Sequence, residues 1–378
     1  MAIMLKNILE SVSFSSHPHF FAAPARINII GEHVDYLGGL VLPAAIQFQT
    51  IVGISKLEER KFELHSVKFG DSLVLNSFEY QKEKKWANYI LGVLDEIEKL
   101  GYKLPGLQIV VDGNIPQGAG LSSSASLEVA VGYGVSEICN LGLSKKDIAL
   151  VGQRAENNFV GTKCGIMDQF VIALAKTNTC LILDTSNLEY SYKLINIGSC
   201  EFFLIDSKVK HSLETSDYNK RREECESALK KIQEKISIPN LYSLPENNNL
   251  QEFNLTKEET KRVQHVIGEK RRTQDAIHFL ESNRPEQLGN ILYEAHNSLA
   301  NFFEVSCEET DFIVDRLRNE GCLGARMIGG GFGGCILVLD KIGKFERIAN
   351  RIYSDYSRQF GIQPEFYKIQ ITDGVKEI

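Results

Sequence analysis

Three short clusters in this chain carry side chains able to do chemistry, and glycine stands in or beside each of them. The first runs Pro116-Gln-Gly118-Ala-Gly120-Leu121-Ser122-Ser123-Ser124-Ala125-Ser126. Its two spaced glycines reach backbone angles that other residues resist, and they let a ligand approach the main chain closely. The serines open a helix, so free N–H groups and the positive end of the helix dipole face one point. That is an anion site, and serine hydroxyls can ligate phosphate oxygens or a magnesium ion. A tight turn closed by a serine N-cap is the plainer alternative, but three consecutive serines after two glycines weigh toward phosphate. The loop is not a Walker A motif, because no Gly-Lys-Ser/Thr follows. It also lacks the glycine spacing of a dinucleotide fingerprint, so any nucleotide is held by a different loop class.

The second cluster is Arg26-Ile-Asn28-Ile-Ile-Gly31-Glu32-His33-Val-Asp35-Tyr36, with five polar or charged side chains in eleven residues ahead of Gly38-Gly39. It reads either as a solvated loop with an ion pair between Arg26 and Glu32 or Asp35, or as a row of acceptors and donors for a polyhydroxylated ligand. The third is Cys164-Gly165-Ile166-Met167-Asp168-Gln169-Phe170. An aspartate between Met167 and Phe170 is partly buried, and a buried carboxylate needs a cationic partner, for which Arg26 is the candidate. Five glycines in the six residues 329–334 lead straight into an apolar strand, which argues for close backbone packing rather than a linker. His211, His265, His278 and His296 are isolated and read as surface or satisfied structural residues. Lys220-Arg221-Arg222 reads as a solvated helix face balanced by Glu223 and Glu224.

These clusters need elements to hold them. Residues 107–111 form a buried strand ahead of the glycine loop, and Leu127, Val129, Ala130, Val131 and Val135 give the following helix its apolar stripe. Residues 20–54 read as strands broken by Gly31 and by Gly38-Gly39. A helix over 86–100 buries Tyr89, Ile90, Val93, Leu94 and Ile97. Ser144 and Asp147 form a capping-box-like start for a helix with stripe Ile148, Val151, Ala155 and Phe159, stopped by Gly161. Glu156 lies on that helix beside the stripe. Strands follow at 179–183, 190–195 and 202–205, then a charged helix over 217–235 and a polar loop near Pro245. Helical patterns fill 257–320, and strands close the chain at 335–339 and 366–371. A domain boundary is expected near residue 195, giving domains of 1–195 and 196–378.

The length of 378 residues suits two domains. Hydrophobic residues make up 43% and charged residues 24%, as in a soluble globular protein. A net charge of -7 argues against a nucleic-acid partner. No apolar run of about 18 residues is present to span a membrane, and the first ten residues do not read as a secretory signal. The eight cysteines include no Cys-x-x-Cys pair, which fits small core residues in a reducing cytoplasm.

Together the clusters resemble the galactokinase branch of the GHMP small-molecule kinases, over nearly the whole chain. The stretch 26–36 looks like the galactokinase signature, 116–126 like the family's phosphate loop, and 329–335 like its third motif. Lys208-Val-Lys-His-Ser-Leu-Glu-Thr-Ser-Asp-Tyr218-Asn-Lys-Arg-Arg resembles the segment carrying a sugar-binding tyrosine. His296-Asn-Ser-Leu and Phe303-Glu-Val-Ser-Cys follow the family as well. The resemblance implies an α+β, two-domain fold: a ribosomal-S5-like N-terminal domain, a ferredoxin-like C-terminal domain, and an active site in the cleft between them. It implies ATP-dependent phosphorylation of the anomeric hydroxyl of galactose, with ATP and Mg2+ as cofactors and no nucleic-acid or membrane partner, in a monomer or weak oligomer. Asp168 would sit at the anomeric hydroxyl with Arg26 beside it. Glu32, His33, Asp35, Gly165 and Tyr218 would contact the sugar. Gly118, Gly120, Leu121, Ser122, Ser123, Ser124 and Ala125 would hold ATP. Trp86 would lie near the adenine, its other reading being a helix-core tryptophan. One of Ser123 and Ser124, with Ser124 preferred, would hold magnesium together with Glu156.

The chain departs from the family pattern at Ala25, Ile328, Gly330, Asn157 and Lys163. None carries assigned chemistry, so loop geometry and affinity are what they would alter. A kinase for a related sugar such as N-acetylgalactosamine is one alternative, but Cys164-Gly165-Ile166-Met167 is bulkier than the glycine-rich run tied to that preference. A non-catalytic sugar sensor is another, but such relatives are damaged in the serine loop, which is intact here. A guanidinium beside Asp168 favours its charged form, which suits an anchor for the sugar O1 better than a base. Arg26 could instead stabilise the transferring phosphoryl group.

Overall fold

The computed structural model describes residues 1–210 and 214–378, and gives residues 210 and 214–216 as backbone. His211 therefore lies outside the described residues. The strands are β1 (His19–Asn28), β2 (Leu40–Val41), β3 (Pro43–Leu57), β4 (Phe62–Ser66), β5 (Asp71–Leu75), β6 (Gly106–Gly113), β7 (Thr179–Asp184), β8 (Glu189–Leu194), β9 (Cys200–Lys210), β10 (Gly324–Met327), β11 (Gly333–Lys341), β12 (Glu365–Lys368) and β13 (Lys376–Glu377). The helices are α1 (Ala2–Ser11), α2 (Lys85–Lys99), α3 (Ser123–Cys139), α4 (Lys145–Arg154), α5 (Met167–Leu174), α6 (Glu214–Gln233), α7 (Lys257–Glu281), α8 (Pro285–Ser298), α9 (Glu308–Asn319) and α10 (Phe345–Phe360).

The described residues form three sheets. A six-stranded sheet runs β13-β1-β3-β6-β4-β5, a four-stranded one β10-β11-β9-β12, and a three-stranded one β2-β7-β8. Among the described residues only β4 and β6 pair in parallel. Helix α3 lies on β1 and β3, and α2, α4 and α5 pack around it. Their side chains form the largest apolar core, which also takes in Cys225, Ala228 and Ile232 of α6 and Val263 and Val266 of α7. In the four-stranded sheet the period of two is plain. Phe203, Ile205, Ile336 and Val338 face α9 and α10. Phe202, Leu204, Cys335, Leu337 and Leu339 face Leu288, Leu292 and the far side of β1. Strands buried on both faces read as near-continuous apolar runs, as these do.

The chain leaves the first sheets after Leu194 and enters the four-stranded sheet at Cys200, and its last strand, β13, returns to pair with β1. That return shortens the expected strand at 366–371. It ends as β12 at Lys368, and Gln370 and Thr372 instead bond Gln47 and Ala45 of β3 through the backbone. The helical stretch 257–320 is three helices, broken at Asn283 and at Glu304, both with positive φ.

Two local irregularities matter for function. Strand β1 has a bulge between Pro24, opposite Gln49, and Ala25, opposite Ile46. Bulges re-aim the next side chains, and here the next is Arg26. Helix α4 starts with the expected Ser144–Asp147 capping box but ends in a wider π-helical turn, Ala155–Val160, closed by Gly161 at φ 92. Such turns recur at functional sites, and this one carries Glu156.

Candidate active site

A cleft of about 350 Å3 is walled by the glycine loop, the loop 31–36, the start of α5, and Tyr218, Gly329 and Gly330 from the second half. A neighbouring cavity of about 290 Å3 shares Tyr89, Ser123 and Ser124 with it and is lined by Trp86, Phe69 and Lys68.

The glycine loop owes its shape to three left-handed residues, Gly118 (φ 68), Gly120 (φ 71) and Ser122 (φ 62). Ser122 stands at the N-cap of α3 but caps nothing, and no acidic residue occupies the first turn. The plain N-cap reading is therefore wrong for Ser122. Its hydroxyl donates to Asp168 Oδ2 instead. The start of α3 keeps its donors and its positive dipole for an anion. Ser126 is fully buried, and its hydroxyl donates to the Ala23 carbonyl at 2.9 Å, tying α3 to β1.

Arg26 and Asp168 meet in the cleft although they lie 142 residues apart. Arg26 Nε donates to Asp168 Oδ1 at 2.7 Å and Nη2 donates to Oδ2 at 2.6 Å, a two-pronged pair. Nη1 donates to the Gly120 carbonyl at 2.6 Å, so the same guanidinium braces the glycine loop. Burial works against the Arg26 charge, but Asp168, Glu32 and Asp35 outweigh it and raise its pKa. The ion-pair alternatives within the 26–36 segment thus give way to a longer-range partner. Charge-assisted, two-pronged pairs of this kind fix orientation as well as charge.

The loop 31–36 turns its polar groups into the same cleft. Glu32 is buried, accepts from Arg326 Nη2 and Asn28 Nδ2 at Oε2, and accepts the Gly329 N–H at Oε1. Burial pushes its pKa up, against the pull of Arg326 and Arg26. His33 has φ 59 and packs against Phe303, Tyr218 and Tyr36. Burial, then His265 and Arg326, lower its pKa to about 3, so it is neutral at pH 7, and its Nε2 is a buried atom with no partner among the described residues. Burial, then Asp168 and Glu32, raise Asp35 to about 7. A Cβ at Gly165 would stand 1.8 Å from Asp35 Oδ2, so glycine there is what gives the carboxylate room.

Glu156 is buried on the far wall. Its Oε2 accepts from Gln169 Nε2 at 2.9 Å, and that same nitrogen donates to Glu128 Oε2 at 2.9 Å. Burial and the nearby Asp168 raise Glu156 to about 7, with the Cys164 thiol and the Ser124 hydroxyl among the groups opposing them.

Of the residues singled out from sequence, Arg26, Glu32, His33, Asp35, Gly118, Gly120, Leu121, Ser122, Ser123, Ser124, Glu156, Gly165, Asp168 and Tyr218 all line the one cleft. Trp86 lines the second cavity, with its Nε1 donating to Asp71 at 3.3 Å. Ala125 lines neither and sits in the apolar core. The Lys220-Arg221-Arg222 run is not simply solvated. Arg221 donates to the Phe303 and Glu304 carbonyls, and Arg222 donates to the Lys163 carbonyl at 2.6 Å while lying over the Tyr36 ring. Both tie the Tyr218 segment to the cleft walls. Sequence reading missed Tyr89, where the two cavities meet, and Arg326, buried beneath Glu32. Tyr89 was legible only as a stripe residue of α2, and Arg326 sits in an apolar strand with no polar neighbour to flag it.

The sequence matches the family models for the GHMP kinases N terminal domain over residues 88–176, the galactokinase galactose-binding signature over 11–56, and the GHMP kinases C terminal region over 276–358. A galactokinase of Thermosipho africanus is 47% identical, the match covering 94% of this chain and 99% of that one. A galactokinase of Thermotoga maritima is 43% identical with the same coverage. The crystal structure of Lactococcus lactis galactokinase complexed with galactose superimposes with a TM-score of 0.93 at 30% identity, covering 100% of this chain and 99% of that one. The matched residues include both loops and the glycine run that wall the cleft, and the chain belongs to the galactokinases, a branch of the GHMP kinases.

Proposed function

We infer that the chain transfers the γ-phosphoryl group of ATP to the anomeric hydroxyl of galactose, giving galactose 1-phosphate, ADP and a proton. The observation that carries this reading is the Arg26–Asp168 pair with the Ser122 hydroxyl on it, standing where the glycine loop meets the loop 31–36. One side of the pair suits a triphosphate and the other a polyol. Phosphoryl transfer asks for positioning and charge neutralisation more than covalent chemistry. Asp168 accepts the sugar O1–H and orients the oxygen toward the phosphorus. Both its carboxylate oxygens already take hydrogen bonds from Arg26, which suits it as an anchor. Arg26 and the start of α3 meet the charge that spreads over the transferring group. Glu32, His33, Asp35, Gly165 and Tyr218 form the sugar wall, and the second cavity with Trp86 takes the base.

Among the described residues no group of three or more His, Cys, Asp or Glu side chains could hold a metal alone. Magnesium commonly binds through one or two carboxylates plus substrate phosphates and water, and Glu156 with Ser124 or Ser123 fits that pattern. The fit is supported by the donor set, since Glu156 is a buried carboxyl on the cleft wall with the Ser124 hydroxyl hydrogen-bonded to it, hard oxygen donors of the kind magnesium takes. Bound there, the ion would neutralise charge on the phosphate oxygens.

A coupled ADP-release assay with galactose, N-acetylgalactosamine, glucose and arabinose tests the reading. Galactose should give the highest kcat/KM. Preference for the acetylated sugar would reject galactose as the substrate, and no turnover with any sugar would favour a sensor.

A pH dependence follows from Asp35. Its folded pKa of about 7 exceeds the ordinary 3.8, so the folded state holds an extra proton between these values. Stability of the free protein should therefore fall as pH rises from about 4 to about 7 on account of this group. Sugar hydroxyls donate best to the ionised form, so galactose affinity should rise as pH passes about 7. Calorimetric titration across pH 5.5–8.5 in wild type and Asp35→Asn checks this. The variant should lose the inflection, and an unchanged inflection would assign it to another group.

A further inference from the structure

The loop that carries Glu32, His33 and Asp35 makes few main-chain bonds of its own, and its buried donors are met from helix α7. Glu269 is fully buried there, and its Oε1 accepts the Gly31 N–H at 2.9 Å and the Glu32 N–H at 3.1 Å. Its Oε2 accepts from Arg272 Nε at 2.7 Å. One turn away His265, also fully buried, meets the Glu32 carbonyl at 3.1 Å through Nε2. A carbonyl can only accept, so Nε2 carries the proton and Nδ1 accepts from the Ser298 hydroxyl at 2.9 Å. The backbone of Glu32 is thus held at both its N–H and its carbonyl by one helix face. The next residue, His33, has φ 59, a conformation that persists only where the surroundings impose it. Glu269 does not line the cleft.

We propose that Glu269 is a positioning residue for the sugar-recognition loop, fixing Glu32, His33 and Asp35 in place and so setting affinity for the sugar but not for the nucleotide. The inference rests on the reading of that loop as the galactose wall. Burial would push the Glu269 carboxyl up, but the Arg272 guanidinium, helped by Arg326, outweighs it and holds the carboxyl below its ordinary range, so it stays charged across the working pH range. Its action is therefore that of a fixed acceptor, not a switch. Two main-chain hydrogen bonds to one ionised oxygen are each stronger than a neutral pair, and among the described residues neither donor has another partner if that oxygen goes.

The test measures KM for galactose and for ATP separately, calorimetric galactose affinity, and melting temperature. Glu269→Ala alone would strand the Arg272 charge in the core and endanger folding. The informative variants are Glu269→Gln/Arg272→Met, which keeps an acceptor oxygen, and Glu269→Met/Arg272→Met, which removes it; both take away the Arg272 charge that loss of the carboxylate would strand. Glu269→Met/Arg272→Met should raise galactose KM about tenfold or more, with ATP KM within about twofold, and Glu269→Gln/Arg272→Met should stay within about threefold of wild type. An unchanged galactose KM in Glu269→Met/Arg272→Met overturns the proposal. So does a matched rise in both KM values, or a Glu269→Gln/Arg272→Met variant as impaired as Glu269→Met/Arg272→Met. A wild-type protein that binds ATP and no galactose overturns the reading of the loop, and the proposal with it.

Discussion

Asp168→Asn loses at least about 10²-fold in kcat, the lower end of what a positioned carboxylate contributes to proton transfer and orientation. The amide keeps the size of the side chain and reverses half of its bonding. Arg26 presents two donors, Nε and Nη2, to two acceptor oxygens. Asparagine offers one oxygen and one NH2, so a donor faces a donor. Ser122 donates to the Oδ2 position, and that bond competes for the single remaining oxygen. The sugar O1–H then has no acceptor held at a fixed angle. Arg26, with its side chain 6% exposed, loses its paired counter-charge, while the side chain of Asp168, at 28%, is partly wetted. Water tempers the cost, so folding should survive with a lowered melting temperature. ATP KM should change little, because the glycine loop keeps its own bond to Arg26 through Gly120. Steady-state kinetics well below the melting temperature checks this. Near-normal turnover would remove Asp168 from the reaction.

Gly331→Ala should cost about 3–5 kcal/mol of stability, the sum of a disfavoured backbone angle and an overpacked contact. Gly331 has φ 96, and an added Cβ would lie 2.4 Å from the Val305 carbonyl oxygen. That carbonyl accepts the Phe332 N–H at 2.7 Å, so relief of the clash breaks a hydrogen bond in the third motif. With about 2.1 cal/mol/K of unfolding entropy per residue, the loss shifts the melting temperature by about 4–6 °C. The adjacent Gly330→Ala is the control. Its Cβ would meet Tyr218 at 3.6 Å, an ordinary contact. Scanning calorimetry should show a large shift for residue 331 and almost none for 330. Equal shifts would mean the loop is not packed as described.

The chemistry of the site was legible because its signals are local. Glycines beside hydroxyls at a helix start announce an anion site whatever follows. Asp168 between apolar residues demanded a cation, and Arg26 supplied it across 142 residues. Burial arguments reach across the chain in this way when only one partner fits. Ser122 escaped the capping rule because a stronger acceptor, Asp168, took its hydroxyl. The π-helical turn at Ala155–Val160 was invisible, since its apolar stripe is compatible with an ordinary helix that stops at Gly161. Glu269 was unreadable for another reason. It opens the run Glu269-Lys270-Arg271-Arg272, which has the texture of a solvated helix, and only the packing of α7 beneath a loop more than 230 residues earlier buries it. Arg221 and Arg222 misled in the same way. The longer strands could be read from their apolar runs, but β4, β5 and β10 were not read, and neither was the return of β13 to β1, because a two-residue edge strand leaves no pattern.

The most direct test of the account is the identity of the product. The purified chain, incubated with galactose, ATP and magnesium, should convert the sugar with one ADP formed per sugar phosphate. In the phosphorus NMR spectrum the new resonance should couple to the anomeric proton. Phosphate on O6, or free phosphate released without any sugar phosphate, would contradict the placement of Asp168 at the anomeric oxygen.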